Sequence, residues 1–285
     1  MIGILYESKE WSSYALENSI NKMGISAKLI DMQDPIDPES LKAYELIVSR
    51  VFASAVFRDH EYALAQMPGV IEFLKENGIP MINPYEAHFY EISKKLSTNT
   101  LAANGFMVPK VYGVFRPTQL DPTSLTSNYP CIIKPDCGGR TTFTYIVNNP
   151  DEVNTAMSNA PDILFIAQEY IRPELGFITR IEVIGRECRL IVKRSISENG
   201  LSAYHLGSSY EIYKDCPEEI KNETIRAMDL LKIDVGSLDI IENKDGFFII
   251  DVNSVSNVSE DNTEMFSFDL MKETAAYIVN RVRAL

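Results

Sequence analysis

The stretch GSLDIIENKDGFFIIDVN, residues 236–253, places two apolar segments on either side of a short polar turn. Both segments have the length of β-strands and the turn ends in glycine, so the stretch predicts a β-hairpin. With a three-residue loop at residues 244–246, Asp239 lies opposite Asp251, and Asn253 shares their face two residues further on. A two-residue loop would shift this register by one residue.

Two carboxylates that face each other in an apolar hairpin repel unless a cation lies between them. Magnesium prefers oxygen ligands and binds through few carboxylates together with substrate phosphates. We therefore predict that Asp239, Asp251 and Asn253 bind Mg²⁺, or Mn²⁺ in its place. The alternative is two exposed aspartates on a solvated face, which the apolar neighbours disfavour. Without a cation, neutralising Asp251 should hold or raise stability.

Working outward, the stretch YPCIIKPDCGGRTT (residues 129–142) delivers Lys134 from an apolar strand into a loop that contains Gly138 and Gly139. Glycines let backbone N–H groups approach phosphate oxygens, and a lysine adds a point charge. The stretch ILFIAQEYI (residues 163–171) ends a buried strand in polar residues. Where the strand pairing stops, backbone N–H and C=O groups become free to bind an adenine ring. For the first stretch the alternative is a solvated lysine before an ordinary turn. For the second it is a plain strand end.

The rest of the chain divides into two patterns. Before residue 88, strands at 2–6, 27–30, 45–49 and 80–83 alternate with helices at 11–23 and 61–76, which predicts a small parallel sheet. After it, a helix at 90–104 precedes strands at 129–135, 143–148, 163–171, 177–185, 187–196, 235–243 and 247–253, with a helix at 217–232. The first strand–helix turn lacks a GxGxxG sequence, so a dinucleotide site there is unsupported.

Composition excludes several classes of protein. The net charge is −13, from 27 basic and 40 acidic residues in a chain of 285, and no long basic run is present, so we expect no nucleic-acid partner. No apolar run approaches a membrane span, and the start of the chain does not resemble a signal peptide. The four cysteines match no metal-binding spacing and are expected to be free thiols. We therefore expect a cytoplasmic protein.

The order of these three stretches resembles the ATP-grasp superfamily, and within it the RimK-like branch that includes the lysine-biosynthesis ligases acting on a carrier protein. The resemblance implies an ATP-grasp fold of mixed α/β and α+β character. Its expected parts are an N-terminal α/β domain (1–88), a central lobe (89–171) and a C-terminal lobe (172–285), the two lobes holding ATP between antiparallel sheets. Members of the branch often form homo-oligomers.

The resemblance also implies a set of nucleotide-binding residues: Lys94, Lys134, Gly138, Gly139, Gln168, Glu169, Tyr170, Ile171 and Glu174. Some positions depart from the family pattern. Ser93 stands where the family has an aspartate before the lysine, and Arg140 stands where small residues are usual. The family aspartate linked to the ribose falls on Ile178, so Glu174 is expected to serve instead.

For catalysis, the resemblance implies roles for Arg180, Lys193 and Arg194 near the γ-phosphate and the acyl phosphate. Arg180 could equally pair structurally with Glu182 or Glu169, and Arg194 could be a solvated cation at a hairpin end. Asp239, Asp251 and Asn253 match the family's metal ligands. Ser254 and Asn257 match positions that contact the amine substrate. The arginine of the family's Arg-Gly-Gly segment is absent, because Leu206 stands in its place.

The implied activity is the ATP-dependent joining of a small-molecule or peptide carboxylate to an amine through an acyl phosphate, with release of ADP and phosphate. Its cofactors are ATP and Mg²⁺. Two alternatives remain open. One is an ATP-binding protein of this fold without ligase activity, which the absent arginine favours and the complete metal set opposes. The other is a different ligase of the same fold, either intramolecular and cyclising or similar to the D-alanine–D-alanine ligases.

Overall fold

The structure is a computed structural model, and it describes residues 1–203, 206–256 and 258–285. The N-terminal domain alternates strands and helices: β1 (Ile2–Tyr6), α1 (Trp11–Lys22), β2 (Ala27–Asp31), β3 (Leu46–Arg50), α2 (Glu61–Glu76), β4 (Met81–Ile82) and α3 (Tyr85–Ile92). Its strands form one parallel sheet in the order β2-β1-β3-β4. The prediction of a small parallel sheet is confirmed.

The middle of the chain contains α4 (Lys94–Ala103), β5 (Val111–Phe115), β6 (Cys131–Pro135), β7 (Tyr145–Val147), α5 (Pro150–Ser158) and β8 (Phe165–Glu169). Its four strands form an antiparallel sheet in the order β5-β8-β6-β7. The single helix predicted over residues 90–104 is wrong at its start. Ser93 is extended and its Oγ accepts a hydrogen bond from the backbone N–H of Leu96, so it caps α4 and separates it from α3.

The C-terminal part consists of β9 (Phe177–Ile184), β10 (Glu187–Ser195), β11 (Tyr210–Ile212), α6 (Glu218–Leu230), β12 (Val235–Asn243), β13 (Gly246–Asn253), α7 (Glu260–Phe266) and α8 (Leu270–Arg283). Its strands form an antiparallel sheet in the order β11-β10-β9-β12-β13. The sequence patterns predicted five of these elements and missed β11, α7 and α8.

The hairpin of β12 and β13 has the predicted pairing but not the predicted loop. Asn243 pairs with Gly246, so the loop contains two residues and the three-residue loop is wrong. A β-bulge then places Ile250 as an extra residue on β13, and this restores the pairing of Asp239 with Asp251. The bulge therefore sets the register on which the acidic pair depends.

Two helices pack against parts of the fold that are distant from them in sequence. The terminal helix α8 packs on α1, and its Ala275 and Ile278 share a buried cluster with Ile4 of the parallel sheet. Leu101 of α4 lies in the buried cluster of the C-terminal sheet. The division into 1–88, 89–171 and 172–285 therefore remains a proposal.

The four cysteines are free thiols, as predicted. Burial raises the pKa of the Cys131 thiol to about 11, so the group is protonated at neutral pH. None of the helices in the described part of the chain has the length and apolar character needed to cross a lipid bilayer.

Candidate active site

Two neighbouring cavities lie where the three sheets approach one another. The smaller has a volume of about 120 Å³ and is lined by β6, β8 and the loop that follows β6. The larger has a volume of about 640 Å³ and lies between the N-terminal domain and the C-terminal sheet. The two share a wall that consists of Gly138, Gly139, Arg140, Thr141, Arg194, Ser202, Asp239 and Asp251.

The predicted acidic pair lies in this shared wall and is surrounded by cations. Arg194 Nη2 donates to Asp239 Oδ2 at 2.7 Å, and Arg180 Nη1 donates to Asp239 Oδ1 at 3.4 Å. Lys94 Nζ lies 3.8 Å from Asp251 Oδ1. Protein cations therefore compensate the facing charges, which the sequence alone did not show.

These cations control the ionisation of Asp251. Burial by itself would raise the pKa of Asp251, but Lys94 and Lys134, with Arg180 and Arg194 further away, hold it below its ordinary value. The carboxylate is consequently charged at neutral pH. The Asp239 and Asp251 carboxylates lie in the wall that the two cavities share and have protein cations around them. This arrangement is suited to binding a metal cation together with an anion.

The residues present fit a magnesium site of the kind that phosphate oxygens complete. Among the described residues, no group of three or more His, Cys, Asp or Glu side chains is placed to hold a metal alone. The donor set is instead the carboxylates of Asp239 and Asp251 with the side-chain amide of Asn253, which lines the larger cavity with them and has an oxygen that can bind a cation. Magnesium binds through one or two carboxylates when phosphates supply further oxygens. Asp239, Asp251 and Asn253 match that requirement.

Lys94 and Lys134 approach the acidic pair from the middle of the chain. Lys94 Nζ donates to the carbonyl of Gly138 at 2.7 Å, and Lys134 Nζ donates to the carbonyl of Ile250 at 3.0 Å. Burial lowers the pKa of Lys134, and nearby Asp251 opposes that shift. Both ammonium groups thus lie between the smaller cavity and β13, and their contact with phosphates stays a prediction.

The loop after β6 has a backbone that depends on glycine. Gly138 has φ +156°, and a Cβ there would come within 2.6 Å of the Phe57 ring. Arg140 and Thr141 follow in the left-handed region. The Arg140 guanidinium forms an ion pair with Glu10 of the N-terminal domain. The loop therefore spans both cavities and is tied to the domain on the far side of the larger one.

Asp136, at the start of this loop, places a carboxylate beside Ser93, the position at which the family pattern has an aspartate. Its carboxylate accepts hydrogen bonds from Ser93 Oγ at 2.9 Å and from the backbone N–H of Lys95 at 2.7 Å. An anion at a helix N-terminus is stabilised by the helix dipole. Asp136 therefore fixes the beginning of α4, and with it Lys94. Sequence reasoning missed this residue because its contacts are distant along the chain.

The predicted adenine-binding segment, residues 168–171, lines the smaller cavity. Gln168 is 1% exposed; its Nε2 donates to Thr98 Oγ1 at 3.1 Å, and its Oε1 has no partner among the described residues. Glu169 is held to Lys110, whose backbone N–H donates to Glu169 Oε2 at 3.2 Å. Tyr170 and Ile171 complete this wall.

Arg180 belongs to a buried chain of polar groups along the larger cavity. Its Nε donates to Glu182 Oε1 at 2.7 Å, and Ser256 Oγ donates to the other oxygen of Glu182. Burial opposes the charge on Arg180, but Glu182 and Asp239 more than offset it, so its pKa lies above the ordinary value. Arg180 therefore pairs with Glu182, which was one predicted alternative, and also lies beside Asp239.

Two predicted site residues, Lys193 and Glu174, lie outside the described lining of both cavities. Lys193 lies on the opposite face of β10 from Arg194, since side chains alternate along a strand, and its Nζ is 4.2 Å from the ring centre of Tyr213. Glu174 accepts a hydrogen bond from the backbone N–H of Lys244 at 3.4 Å and is not in the described lining of either cavity.

Ser254 and Asn257 were predicted to contact the amine substrate. Ser254 donates from its backbone N–H and its Oγ to Glu91 Oε2, at 2.7 and 3.1 Å, so its side chain is engaged inside the protein. Asn257 lies outside the described residues. Lys193, Glu174 and Ser254 are thus absent from the described lining of both cavities, and their predicted roles, like those of the other predicted site residues, stay predictions.

Comparisons with known proteins show which family the chain resembles. A family model described as a RimK-like ATP-grasp domain matches residues 92–280. A probable alpha-L-glutamate ligase of Alkalilimnicola ehrlichii is 24% identical over 76% of this chain and 70% of its own length. An alpha-aminoadipate–LysW ligase of Saccharolobus solfataricus is 26% identical over 65% of this chain and 70% of its own. A RimK-domain ATP-grasp protein of Sphaerobacter thermophilus superposes with a TM-score of 0.74 at 16% identity, covering 97% and 98% of the two chains.

Proposed function

Because the chain belongs to the RimK-like ATP-grasp family and is an ATP-dependent ligase that forms C–N bonds, we propose that it does so through an acyl phosphate. A carboxylate oxygen of the substrate attacks the γ-phosphorus of ATP, and the bond to the bridging oxygen breaks to release ADP. The amine nitrogen of the second substrate then attacks the acyl carbon. The C–O bond to phosphate breaks, the amine loses a proton, and inorganic phosphate leaves.

The shared wall of the two cavities is the observation that supports this proposal most directly. Phosphoryl transfer requires the γ-phosphate and the carboxylate to meet in line at one place. ATP with its adenine in the smaller cavity would present its phosphates to Asp239, Asp251 and Arg194, which also line the larger cavity. A carboxylate in the larger cavity would reach the same point.

Residues of the shared wall and their neighbours in the two cavities have proposed roles. Lys94 and Lys134 neutralise the phosphates, and Arg194 faces the transferring group, where a rigid donor fork fits oxyanions. The loop at residues 138–141 lies across the opening between the cavities, so its closure would exclude water from the acyl phosphate. Arg180 acts on this centre by orienting Asp239.

The metal-binding set proposed above is Asp239, Asp251 and Asn253. When bound there, Mg²⁺ would neutralise charge on the phosphate oxygens. The protein's own contribution is to hold the two carboxylates at a fixed separation through the β12–β13 register. It also keeps the Asp251 carboxylate ionised through the surrounding lysines and arginines.

The names of the relatives indicate the kind of substrate. One relative is named for glutamate and the other for alpha-aminoadipate and the protein LysW, so we propose a small-molecule or peptide carboxylate and an amine. The alternative of a binding protein without ligase activity is set aside, because these relatives are ligases. An intramolecular, cyclising ligation uses the same first step and remains an alternative outcome of the test below.

Isotope transfer tests the acyl phosphate directly. The enzyme is incubated with Mg·ATP, amines and a panel of amino acids and peptides, and ADP and phosphate are measured. For an active pair, the carboxylate is labelled with ¹⁸O. One ¹⁸O atom in the released phosphate supports the proposal. Turnover with unlabelled phosphate, or no ADP with any carboxylate, with or without an amine, would overturn it.

A further inference from the structure

The larger cavity has an apolar end away from the shared wall. Trp11, Val258, Phe266, Phe268 and Leu270 line this cavity and do not line the smaller one. Trp11, Val258, Phe268 and Leu270 also belong to the buried cluster between α1 and α8. The apolar end is therefore a face of a packed core that is left uncovered toward the cavity.

The charges of the larger cavity disfavour a second substrate carboxylate. Every arginine in its described lining already has a protein carboxylate partner: Arg140 with Glu10, Arg180 with Glu182 and Asp239, and Arg194 with Asp239. The lining also includes the carboxyl groups of Glu10, Glu91, Glu182, Asp239 and Asp251. No lysine is found in the described lining. An anion away from the shared wall would therefore meet carboxylates, apolar side chains and neutral polar groups such as those of Ser259 and Asn262, but no unpaired arginine in the described lining.

From these two features, and resting on the proposed function, we infer that the larger cavity binds an amino acid or peptide residue with a bulky apolar side chain. A dicarboxylic residue such as glutamate is disfavoured there. The substrate's reacting carboxylate lies at the shared wall beside Arg194, and its side chain lies against Trp11 and Phe268. The cavity volume of about 640 Å³ is in the usual range for ligand sites and accommodates such a group.

Binding without turnover tests this inference separately from catalysis. The full-length protein is loaded with Mg²⁺ and a non-hydrolysable ATP analogue. It is then titrated calorimetrically with L-phenylalanine, L-leucine, L-glutamate and the dipeptides Phe-Ala and Glu-Ala. We expect each apolar ligand to bind at least about tenfold more tightly than its acidic counterpart, because the apolar side chain is buried favourably whereas the acidic one meets carboxylates. Equal or tighter binding of the acidic ligands, or binding of none, would overturn the inference.

A matched pair of variants locates the effect. Trp11→Ala removes apolar surface from the cavity, whereas Val282→Ala removes it from the same cluster without touching the cavity lining. We expect about tenfold weaker binding of the apolar ligand in Trp11→Ala and unchanged binding in Val282→Ala, with both proteins folded by circular dichroism. Equal loss in both variants would overturn the location. Should Trp11→Ala not fold, Trp11→Phe replaces it, with an expected weakening of at least about threefold.

The outcomes for the two proposals are distinguishable. Absence of ADP formation with every substrate, together with apolar selectivity in calorimetry, would refute the proposed function and leave the binding inference standing. Isotope transfer with glutamate as the preferred carboxylate would support the function and refute the inference.

Discussion

Asp239 and Asp251 lie directly opposite each other on β12 and β13, and together they form part of the wall that the two cavities share. Their negative charges face each other across one ladder position. Arg180 and Arg194 pair with Asp239, while Lys94 lies near Asp251. The pair is thus stabilised by protein cations when no metal is bound, and this reverses one expectation from the sequence.

Asp251→Asn should destabilise the protein rather than stabilise it. The change leaves the buried ammonium groups of Lys94 and Lys134 without their nearest carboxylate, at a cost of about 1–3 kcal/mol in the free energy of unfolding. It should also remove most of the rise in melting temperature that Mg·ATP produces in the wild type. Thermal unfolding with and without Mg·ATP measures both effects.

Asp245→Asn is the control for this experiment, because Asp245 is exposed in the turn of the same hairpin. It should keep both the stability and the Mg·ATP shift of the wild type. If Asp251→Asn showed the full shift as well, Asp251 would not be a metal ligand.

Lys134→Ala should weaken ATP binding by about 10–100-fold, since a charge-assisted contact to phosphate contributes about 1.5–3 kcal/mol. The fold should persist, because the side chain donates to one carbonyl, that of Ile250. Fluorescence titration with a labelled nucleotide gives the affinity. Lys95→Ala, which removes an exposed lysine beside Lys94, should bind as the wild type does; unchanged affinity in Lys134→Ala would exclude its phosphate contact.

Arg140→Ala should loosen the loop at residues 138–141 with little effect on global stability. The ion pair with Glu10 is partly exposed, so its loss should change the free energy of unfolding by less than about 1 kcal/mol. Limited proteolysis should cut this loop faster than in the wild type. Arg116→Ala removes an arginine of similar exposure, which pairs with Asp162 away from the loop, and should leave the cleavage rate unchanged. Equal rates in all three proteins would show that Glu10 does not hold the loop.

His88 should make stability fall as the pH is lowered. Burial depresses the pKa of His88 from 6.5 to about 4, so between these values the unfolded chain takes up a proton that the folded protein does not. The His88 contribution is fully present above pH 6.5 and is lost progressively as the pH falls towards 4. Between pH 7 and pH 5 it should amount to about 2 kcal/mol.

Urea unfolding of the wild type and of His88→Gln at both pH values measures this contribution. The variant should lose about 2 kcal/mol less than the wild type over that interval. The same loss in both proteins would mean that His88 is not the group responsible.

The sequence identified the parts of the site that a short segment specifies by itself. The β12–β13 hairpin, the strand that carries Lys134 and the segment at residues 168–171 each combine an apolar strand with polar residues at its end. Such a pattern arises from local strand geometry. The Asp239–Asp251 pairing was also predicted, although it depends on a bulge at Ile250 that offsets a shorter loop.

Tertiary structure decided which side chains face the cavities. Lys193 and Arg194 are neighbours in sequence, yet only Arg194 faces the acidic pair, because the packing of the C-terminal sheet fixes which side of β10 lines the cavity. Glu10 and Asp136 join the site through contacts with residues more than a hundred and more than forty positions away. A local pattern contains no information on such contacts, since the fold as a whole determines which distant segments meet.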